Sequence, residues 1–388
     1  MKILLIANSI SGGAGKACRR LYESLKLSGI NVKILHLEGG SEADKNIVSM
    51  YSSISKLFLK QIINIPKNKL SQMYFGSLNT NYRLPISFHN LEKHPLIDWA
   101  DIINLHWVPE FLDYKSFFSN VSKPIVWTLH DMLPFSGGYH YILDIQNKNK
   151  QIEDKISTIK LNAVKNSNLT IVAPSNWLVN ISKNSTTFNS KKHHHIFNPI
   201  PSLIFKPTEK KIARRILNLP ENGKILIFSA DSLNSKRKGM KLLIDAFDFV
   251  NDNDLTLVSI GRGKFEKDLK IPYIHLGLLK DDYTIALLYS AADLSVVPSR
   301  EDNSPNTILE SLACGCPVVA FNNGGMSELI SSEDYGVIVS EYNPKSLAIG
   351  INKSLNFKYK TNLITKHVNS ECHYSVVSSR YLKIFKNL

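Results

Sequence analysis

Short apolar runs alternate with helical patterns from the first residue of the chain, and this alternation limits the fold more than any other feature. A buried-strand pattern covers residues 2–7, an amphipathic helix follows, and a second strand pattern covers residues 31–37. The apolar stripe of the helix consists of Ala14, Ala17, Cys18, Leu21 and Leu25. This order predicts a βαβ unit, and therefore a parallel sheet covered by helices.

The same alternation occurs twice, on either side of a proline-containing stretch at residues 198–223 that predicts the link between two domains. Strand patterns before the link cover 101–105, 124–129 and 169–173, and those after it cover 224–228, 255–260, 273–276, 294–297 and 317–321. The prediction is α/β: two Rossmann-like, doubly wound parallel-sheet domains that face a cleft. The first covers residues 1–198 together with a crossing helix at about 373–388, and the second covers residues 199–372.

Composition narrows the class of protein further. Of the 388 residues, 43% are hydrophobic and 21% charged, and no apolar run approaches the ~18 residues needed to cross a bilayer. The four cysteines show no C-x-x-C spacing, so a disulfide framework and a zinc site are not indicated and a reducing cytoplasm fits. The net charge of +14 favours anionic partners, among them nucleotide-linked substrates, nucleic acid and acidic lipid.

The glycine-rich turn after the first strand, SISGGAGKACRR at residues 9–20, is a candidate phosphate-binding loop. It does not match a P-loop, because Ile10 stands where that motif has its first glycine and Ala17 where it has a hydroxyl residue. A dinucleotide fingerprint begins at Gly13 and Gly15, but Cys18 takes the place of the third glycine. An ATPase is therefore not favoured, and dinucleotide binding stays open as the weaker alternative.

The most informative motif is PSREDNSPNTILESLACGCPVVAFNNGG at residues 298–325. It predicts a short helix with Ser304 as N-cap, Pro305 at the first helical position and Gly315 at the end. The amides of Asn306 and Thr307 at the start of such a helix predict a site for an anion such as a diphosphate.

Two carboxylates, Asp302 and Glu310, flank that predicted anion site. A bare diphosphate would repel them, so we expect them to accept hydrogen bonds from sugar hydroxyls on either side of it. A nucleotide-sugar carries hydroxyls on both sides of its diphosphate.

This stretch resembles the donor-site signature of retaining glycosyltransferases of family 4, which have the two-domain GT-B fold. The matching positions are Asp302, Glu310, Ala313, Gly315, Pro317, Val318, Val319, Gly324, Gly325 and Glu328. The resemblance implies a UDP- or GDP-linked sugar as donor, with Asp302 on its sugar and Glu310 on its ribose, and no divalent metal. Asp302 replaces the usual Glu of the signature, which shortens the reach to the donor sugar by one methylene and leaves the donor identity open.

The resemblance also implies roles in the rest of the chain. Gly12, Gly13 and Gly15 take the place of the loop that faces the donor diphosphate across the cleft. His130, in TLHDMLPFSGG, takes the place of the histidine that contacts the donor sugar at the reaction centre. Lys238, in KRKGMKLLIDAF, would oppose the charge that develops on the leaving diphosphate.

Three positions qualify this resemblance. Leu233 stands where many relatives have an Arg, so Arg237 and Lys236 are the candidates to replace that cation. Tyr139 stands where a Cys would be expected, so the acceptor contacts of that loop do not transfer. Gly261 is a candidate to border the base or diphosphate, with an ordinary turn as the equal alternative.

Other features of the sequence leave alternatives open. His106 and Trp107 are candidates for the acceptor side, with packing as the alternative. The consecutive histidines 193–195 cannot easily share one metal ion, and we interpret them as a solvated approach to the linker. Residues 54–65 predict either a core-facing helix or one that docks on an anionic membrane.

The function expected from these features is retaining transfer of a sugar from a nucleoside-diphosphate-sugar donor to a glycan or lipid-linked acceptor, in cell-surface polysaccharide synthesis. The expected location is the cytoplasm or the inner face of the cytoplasmic membrane. A nucleotide-sugar epimerase or hydrolase on the same fold is the alternative enzyme. A basic module that binds membrane or nucleic acid is the non-enzymatic alternative, although no nucleic-acid-binding motif accompanies the charge.

Overall fold

The computed structural model describes residues 1–37, 43–51, 82–145, 150–252, 254–263 and 269–388. The chain divides into two compact units, one of Met1–Phe197 with Val377–Leu388 and the other of Asn198–Val376. The divisions predicted from the sequence lie after residue 198 and near residue 373, within one and about four residues of these. The segment 54–65 lies outside the described residues.

The first unit is built on a parallel sheet of seven strands in the order β3-β2-β1-β4-β5-β6-β7. These strands are β1 (Lys2–Ala7), β2 (Asn31–His36), β3 (Ile47–Ser49), β4 (Ile102–Leu105), β5 (Ile125–Thr128), β6 (Leu169–Ala173) and β7 (Lys192–His195). The helices around the sheet are α1 (Gly12–Leu27), α2 (Pro95–Trp99), α3 (Tyr114–Asn120), α4 (Lys150–Val164) and α5 (Asn176–Lys183). Helices on both faces bury the central strands, which is why β1, β4, β5 and β6 are almost uniformly apolar.

The second unit is built on a parallel sheet of six strands in the order β10-β9-β8-β11-β12-β13. These strands are β8 (Lys224–Ser232), β9 (Leu255–Arg262), β10 (Tyr273–His275), β11 (Leu294–Val297), β12 (Val318–Phe321) and β13 (Gly336–Val339). Its helices are α6 (Lys210–Ile216), α7 (Met240–Ala246), α8 (Asp282–Ala291), α9 (Asn306–Ala313), α10 (Met326–Leu329), α11 (Pro344–Asn356) and α12 (Thr361–Cys372). The predicted pair of doubly wound α/β domains is therefore confirmed.

The last helix, α13 (Tyr374–Phe385), returns to the sheet of the first unit. Its buried residues Val377, Tyr381 and Phe385 share an apolar cluster with Cys18 and Leu25 of α1. This helix corresponds to the predicted C-terminal helix.

Strand order reverses once in each sheet, between β1 and β4 in the first and between β8 and β11 in the second. Loops at the carboxyl ends of the strands diverge at such a point and leave room for a ligand. The glycine-rich turn follows β1 and His106 follows β4, while Lys238 follows β8 and Asp302 follows β11. The candidate residues of each unit therefore lie at its switch point.

Sequence reasoning missed the three short strands β3, β7 and β13. Strand β7 contains Lys192 and the three consecutive histidines, which are exposed or half-buried just before the second unit begins, so the predicted solvated approach to the linker is an edge strand. The apolar pattern was absent because β7 is the edge strand of its sheet, where polar and charged side chains are tolerated.

Candidate active site

Three charged side chains meet at the carboxyl ends of β8 and β11. Lys238 Nζ lies 2.5 Å from Oδ2 of Asp302, and Arg237 Nη1 lies 3.1 Å from the same oxygen. The guanidinium of Arg237 also donates a 2.9 Å hydrogen bond to the carbonyl of Glu301. The fold thus joins the predicted catalytic residues Lys238 and Asp302 with Arg237, one of the candidates to replace the cation missing at Leu233.

The protonation of this cluster follows from its burial and its charges. Burial alone would raise the pKa of the Asp302 carboxyl, but the ammonium of Lys238 and the guanidinium of Arg237 outweigh it and lower the pKa to about 2. Burial lowers the pKa of Lys238, and the charge of Asp302 opposes part of that effect. With Lys238 protonated, the three side chains carry one excess positive charge, which attracts an anionic ligand.

Two glycines of the matched motifs fix the position of Asp302. Gly239 (φ +79°) and Gly324 (φ +84°) have left-handed backbones. A Cβ atom at Gly239 would overlap the carbonyl oxygen of Pro298, and one at Gly324 would overlap the carbonyl oxygen of Asp302. Gly325 donates its amide to that same Asp302 carbonyl at 3.0 Å. The absence of side chains at these glycines therefore lets neighbouring loops hold the segment that carries Asp302.

Helix α9 begins directly after this segment, at Asn306. Pro305 is the N-cap, with an extended backbone (ψ 125°) and no side-chain cap. The predictions of Ser304 as N-cap and Pro305 as the first helical residue are thus wrong by one position, whereas Gly315 (φ +76°) follows the helix as predicted. The amides of Asn306 and Thr307 belong to the first turn, where N–H groups have no intrahelical acceptor.

Three more polar groups in α9 and in the segment before it are buried. The side chain of Glu310 is only 5% exposed. The hydroxyl groups of Ser299 and Ser304 are buried and have no hydrogen-bond partner among the residues that the structure describes. A buried hydroxyl without a partner is expected to meet a ligand or an ordered water. Ser299 was not among the residues predicted from the sequence. It could have been found there, because it lies in the PSREDNS segment that also contains Asp302.

Gly261 lies inside β9 and does not form the alternative turn. Its φ is +147°, and a Cβ atom there would overlap the carbonyl oxygen of Ala230 in β8. The amide of Gly261 donates to the carbonyl of Gly277 at 2.8 Å. The close approach of the β8 backbone therefore explains why residue 261 is a glycine. The predicted contact of Gly261 with the base or diphosphate stays a prediction.

In the first unit, the glycine-rich turn opens helix α1. The space where Gly12 and Gly13 would carry a Cβ atom is open, whereas a Cβ at Gly15 would lie 2.5 Å from the carbonyl carbon of Ile10. Gly15 is thus needed for packing of α1 against the turn. Gly12 and Gly13 leave exposed backbone, which is the property their predicted diphosphate contact requires.

His106 and His130 follow the neighbouring strands β4 and β5 and contact each other. Nδ1 of His106 lies 3.0 Å from Nε2 of His130, and the rings stack at 5.3 Å between centroids. Burial lowers the pKa of His106 well below its ordinary value and that of His130 to about 4. Both rings are therefore neutral near pH 7, and one of the two facing nitrogens donates to the other.

Asp131, the residue after His130, organises the adjacent side chains. Its Oδ2 accepts a 3.0 Å hydrogen bond from the indole of Trp107 and lies 2.6 Å from Nδ1 of His140. Burial alone would raise the pKa of Asp131, but His140 lowers it below its ordinary value. Burial by itself would lower the pKa of His140, but Asp131 raises it. His106, Trp107 and His130 thus form one polar group, to which the structure adds Asp131 and His140.

The described residues contain neither a group of metal ligands nor a membrane-spanning helix. No three His, Cys, Asp or Glu side chains among them are grouped so as to hold a metal ion. No helix within the described ranges combines the length and apolar character needed to cross a membrane.

Comparison with known proteins gives a family match over residues 223–356, to the model of glycosyl transferases group 1. An uncharacterized glycosyltransferase of Methanocaldococcus jannaschii is 27% identical over 46% of this chain and 48% of its own length. The chain thus spans about half the length of this curated relative.

Solved structures match over the whole chain. Sucrose-phosphate synthase from Thermosynechococcus elongatus has a TM-score of 0.69 at 15% identity, with 100% of this chain and 99% of that one covered. The Anabaena HepE protein, solved in complex with UDP and glucose, has a TM-score of 0.66 at 19% identity, with both chains fully covered. The predicted GT-B fold is therefore confirmed.

Proposed function

We propose that this GT-B chain, whose residues 223–356 match the group 1 glycosyltransferases, transfers a sugar from a nucleoside-diphosphate-sugar to a glycan or lipid-linked acceptor. The observation that carries the proposal is the cluster of Arg237, Lys238 and Asp302 in the same unit as the uncapped start of α9. Fixed cations and the amides in the first turn of a helix are groups that bind a diphosphate.

The donor would be bound as follows. Lys238, Arg237 and the amides of Asn306 and Thr307 hold the diphosphate, and the hydroxyls of Ser299 and Ser304 are available to the same ligand. Asp302 accepts hydrogen bonds from the donor sugar, and Glu310 accepts them from the ribose. The complex of the HepE protein with UDP and glucose supports a donor of this class for a protein of this fold.

In this proposal, cationic side chains of the protein stabilise the leaving group. Lys238 and Arg237 are already held at one carboxylate, so little reorganisation is needed when negative charge develops on the departing diphosphate. A divalent metal is not required for that role. The transfer proceeds with retention at the anomeric carbon, and a diphosphate oxygen assists the acceptor hydroxyl on the same face.

The acceptor side lies in the first unit, at His106 and Trp107, next to His130. His130 is neutral near pH 7, so it orients the donor sugar by hydrogen bonding and does not act as a charged acid. We place the reaction in cell-surface polysaccharide synthesis, in the cytoplasm or at the inner face of the membrane.

A panel of UDP- and GDP-linked sugars tests this proposal by calorimetric binding and by chromatography of the products. We expect one class of donor to bind and to be turned over, and Glu310→Ala to weaken both. Failure of every donor to bind, or unchanged turnover in Glu310→Ala, would contradict the donor site. An isomerised donor, or free sugar released faster than any transfer, would indicate the epimerase or hydrolase instead.

A further inference from the structure

A loop of residues 131–140 follows His130 and is held by side chains from several elements of the first unit. Four consecutive carbonyl groups in it, those of residues 133–136, each accept a hydrogen bond from a side chain. The Tyr114 hydroxyl at the start of α3 donates to Pro134, and the Thr187 hydroxyl donates to Phe135. The two remaining carbonyls, those of Leu133 and Ser136, share a single donor.

That donor is the ammonium group of Lys160, on helix α4. Its Nζ lies 2.5 Å from the carbonyl oxygen of Leu133 and 2.8 Å from that of Ser136. It also lies 5.6 Å from the centre of the Tyr114 ring, within the range of a cation–π contact. Lys160 is 1% exposed, which is rare for a lysine.

Burial of this ammonium opposes folding, because water no longer solvates it. Burial lowers the pKa of Lys160 to about 7, although the charges of Glu153 and Asp131 act in the opposite direction. An apolar residue would fill a buried helix position at lower cost. A role in the loop explains why the position holds a lysine.

Lys160 reaches the polar group around His130 through one peptide unit. The carbonyl of Leu133 accepts from Lys160, and the amide of Leu133 donates to Oδ1 of Asp131 at 3.0 Å. Oδ2 of Asp131 in turn holds Trp107 and His140.

Glycines let the loop pack tightly on the same helix. A Cβ atom at Gly137 would overlap Glu153 of α4, and one at Gly138 would overlap the ring of Tyr82. The loop is therefore held by hydrogen bonds to its carbonyl groups, by the hydrogen bonds of Asp131 and by close packing at Gly137 and Gly138.

We propose that Lys160 is a positioning residue for sugar transfer, which holds the 131–140 loop so that His130 and Asp131 are fixed before the substrates bind. This inference rests on the proposed function, because it gives Lys160 a role in that same reaction. Lys160 does not touch the donor, so its loss changes turnover and leaves the donor site of the second unit intact.

Lys160→Met tests the inference, with Val164→Ala as the matched control. Val164 is fully buried on the same helix one turn later, so its truncation weakens the same packing and removes no hydrogen bond from the loop. We expect Lys160→Met to lower kcat per folded molecule about tenfold to a hundredfold. The KM for the donor and the affinity for the nucleoside diphosphate should stay within about twofold of the wild type.

Two further readouts separate positioning from stability. Amide hydrogen exchange in residues 131–140 should be faster in Lys160→Met than in Val164→Ala. Lys160→Gln keeps an N–H donor near the carbonyls, so it should recover part of the lost kcat, and it replaces Lys160→Met if that variant does not fold.

Equal kcat and equal loop exchange in Lys160→Met and Val164→Ala would overturn the inference. For Lys160→Gln as the replacement, unchanged kcat and unchanged loop exchange would do the same. Wild-type protein that neither binds nor turns over any donor would instead overturn the proposed function, and the role of Lys160 with it.

Discussion

At the scale of single residues, the central feature is a carboxylate that contacts two cations at the end of a strand. Asp302 is buried and ionised because Lys238 and Arg237 are both within hydrogen-bond distance. An arriving diphosphate would compete with Asp302 for these cations and free its carboxylate to accept hydrogen bonds from sugar hydroxyls. One cluster would then serve both the phosphates and the sugar of the donor.

Lys238→Met should weaken the binding of nucleoside diphosphate about tenfold to a hundredfold, because a charged hydrogen bond to the ligand is lost. The matched control is Lys241→Met, three residues later, where the ammonium is exposed and pairs with its helix neighbour Asp245. Calorimetric titration of both variants with UDP and GDP measures the effect. Equal affinities in the two variants would remove Lys238 from the site.

The free energy of unfolding should fall on acidification, and the titration of His130 should contribute to that fall. Its folded pKa of about 4 lies below the ordinary value of 6.5, so the unfolded chain binds a proton that the folded chain does not. The contribution of neutral His130 is therefore complete above pH 6.5 and is lost as the pH falls toward 4, by an amount on the order of 3 kcal/mol.

Denaturant unfolding of the wild type and of His130→Gln at several pH values between 7 and 4 measures this contribution. The free energy of unfolding should decline less steeply with falling pH in His130→Gln than in the wild type. Parallel curves for the two proteins would show that His130 titrates normally in the folded state.

At the scale of elements, the candidate donor site depends on loops that only glycine permits. Gly324→Ala should displace the segment that carries Asp302, because the new methyl group would overlap the carbonyl of that residue. Gly277→Ala is the control, because Gly277 also has a positive φ (+71°) but has open space where a Cβ atom would lie. The control should lose only about 1–2 kcal/mol from backbone strain.

Unfolding free energy and nucleotide affinity of the two variants measure this difference. Gly324→Ala should lose more stability than Gly277→Ala and should also bind nucleotide more weakly. If both variants keep the affinity of the wild type, the glycine pair does not position the site.

The elements that sequence reasoning found are those with a strong local signal. Strands β1, β6 and β11 match their predicted bounds because they are continuous apolar runs bounded by turns. Strand β7 escaped because an edge strand needs no such run, and β3 and β13 escaped because they are only three and four residues long. The start of α9 was placed one residue early because Ser-Pro is a common opening for a helix, whereas here Pro305 itself is extended.

The candidate site was predictable in its residues but not in its contacts. The resemblance selected Lys238, Asp302 and His130, yet no pattern in the sequence indicates that Arg237 and Lys238 pair with Asp302. Lys160 gave no signal, since a lysine within an amphipathic helix is ordinarily exposed. Contacts between residues far apart along the chain depend on tertiary packing.

At the scale of the whole molecule, two α/β units each present polar residues at a switch point. We assign the donor to the second unit, so bound nucleotide should stabilise Asn198–Val376 more than the first unit. At a ligand concentration of a hundred times Kd, the free energy of unfolding should rise by about 2.7 kcal/mol. Hydrogen exchange with and without UDP or GDP locates the effect, and protection confined to Met1–Phe197 would contradict the assignment.

A crystal structure with a bound nucleoside-diphosphate-sugar would show the contacts of the donor directly. We expect diphosphate oxygens about 2.7–3.1 Å from Lys238 Nζ and from the amides of Asn306 or Thr307, with a sugar hydroxyl bound to Asp302. A diphosphate bound away from Lys238 and the start of α9 would contradict the proposed donor site.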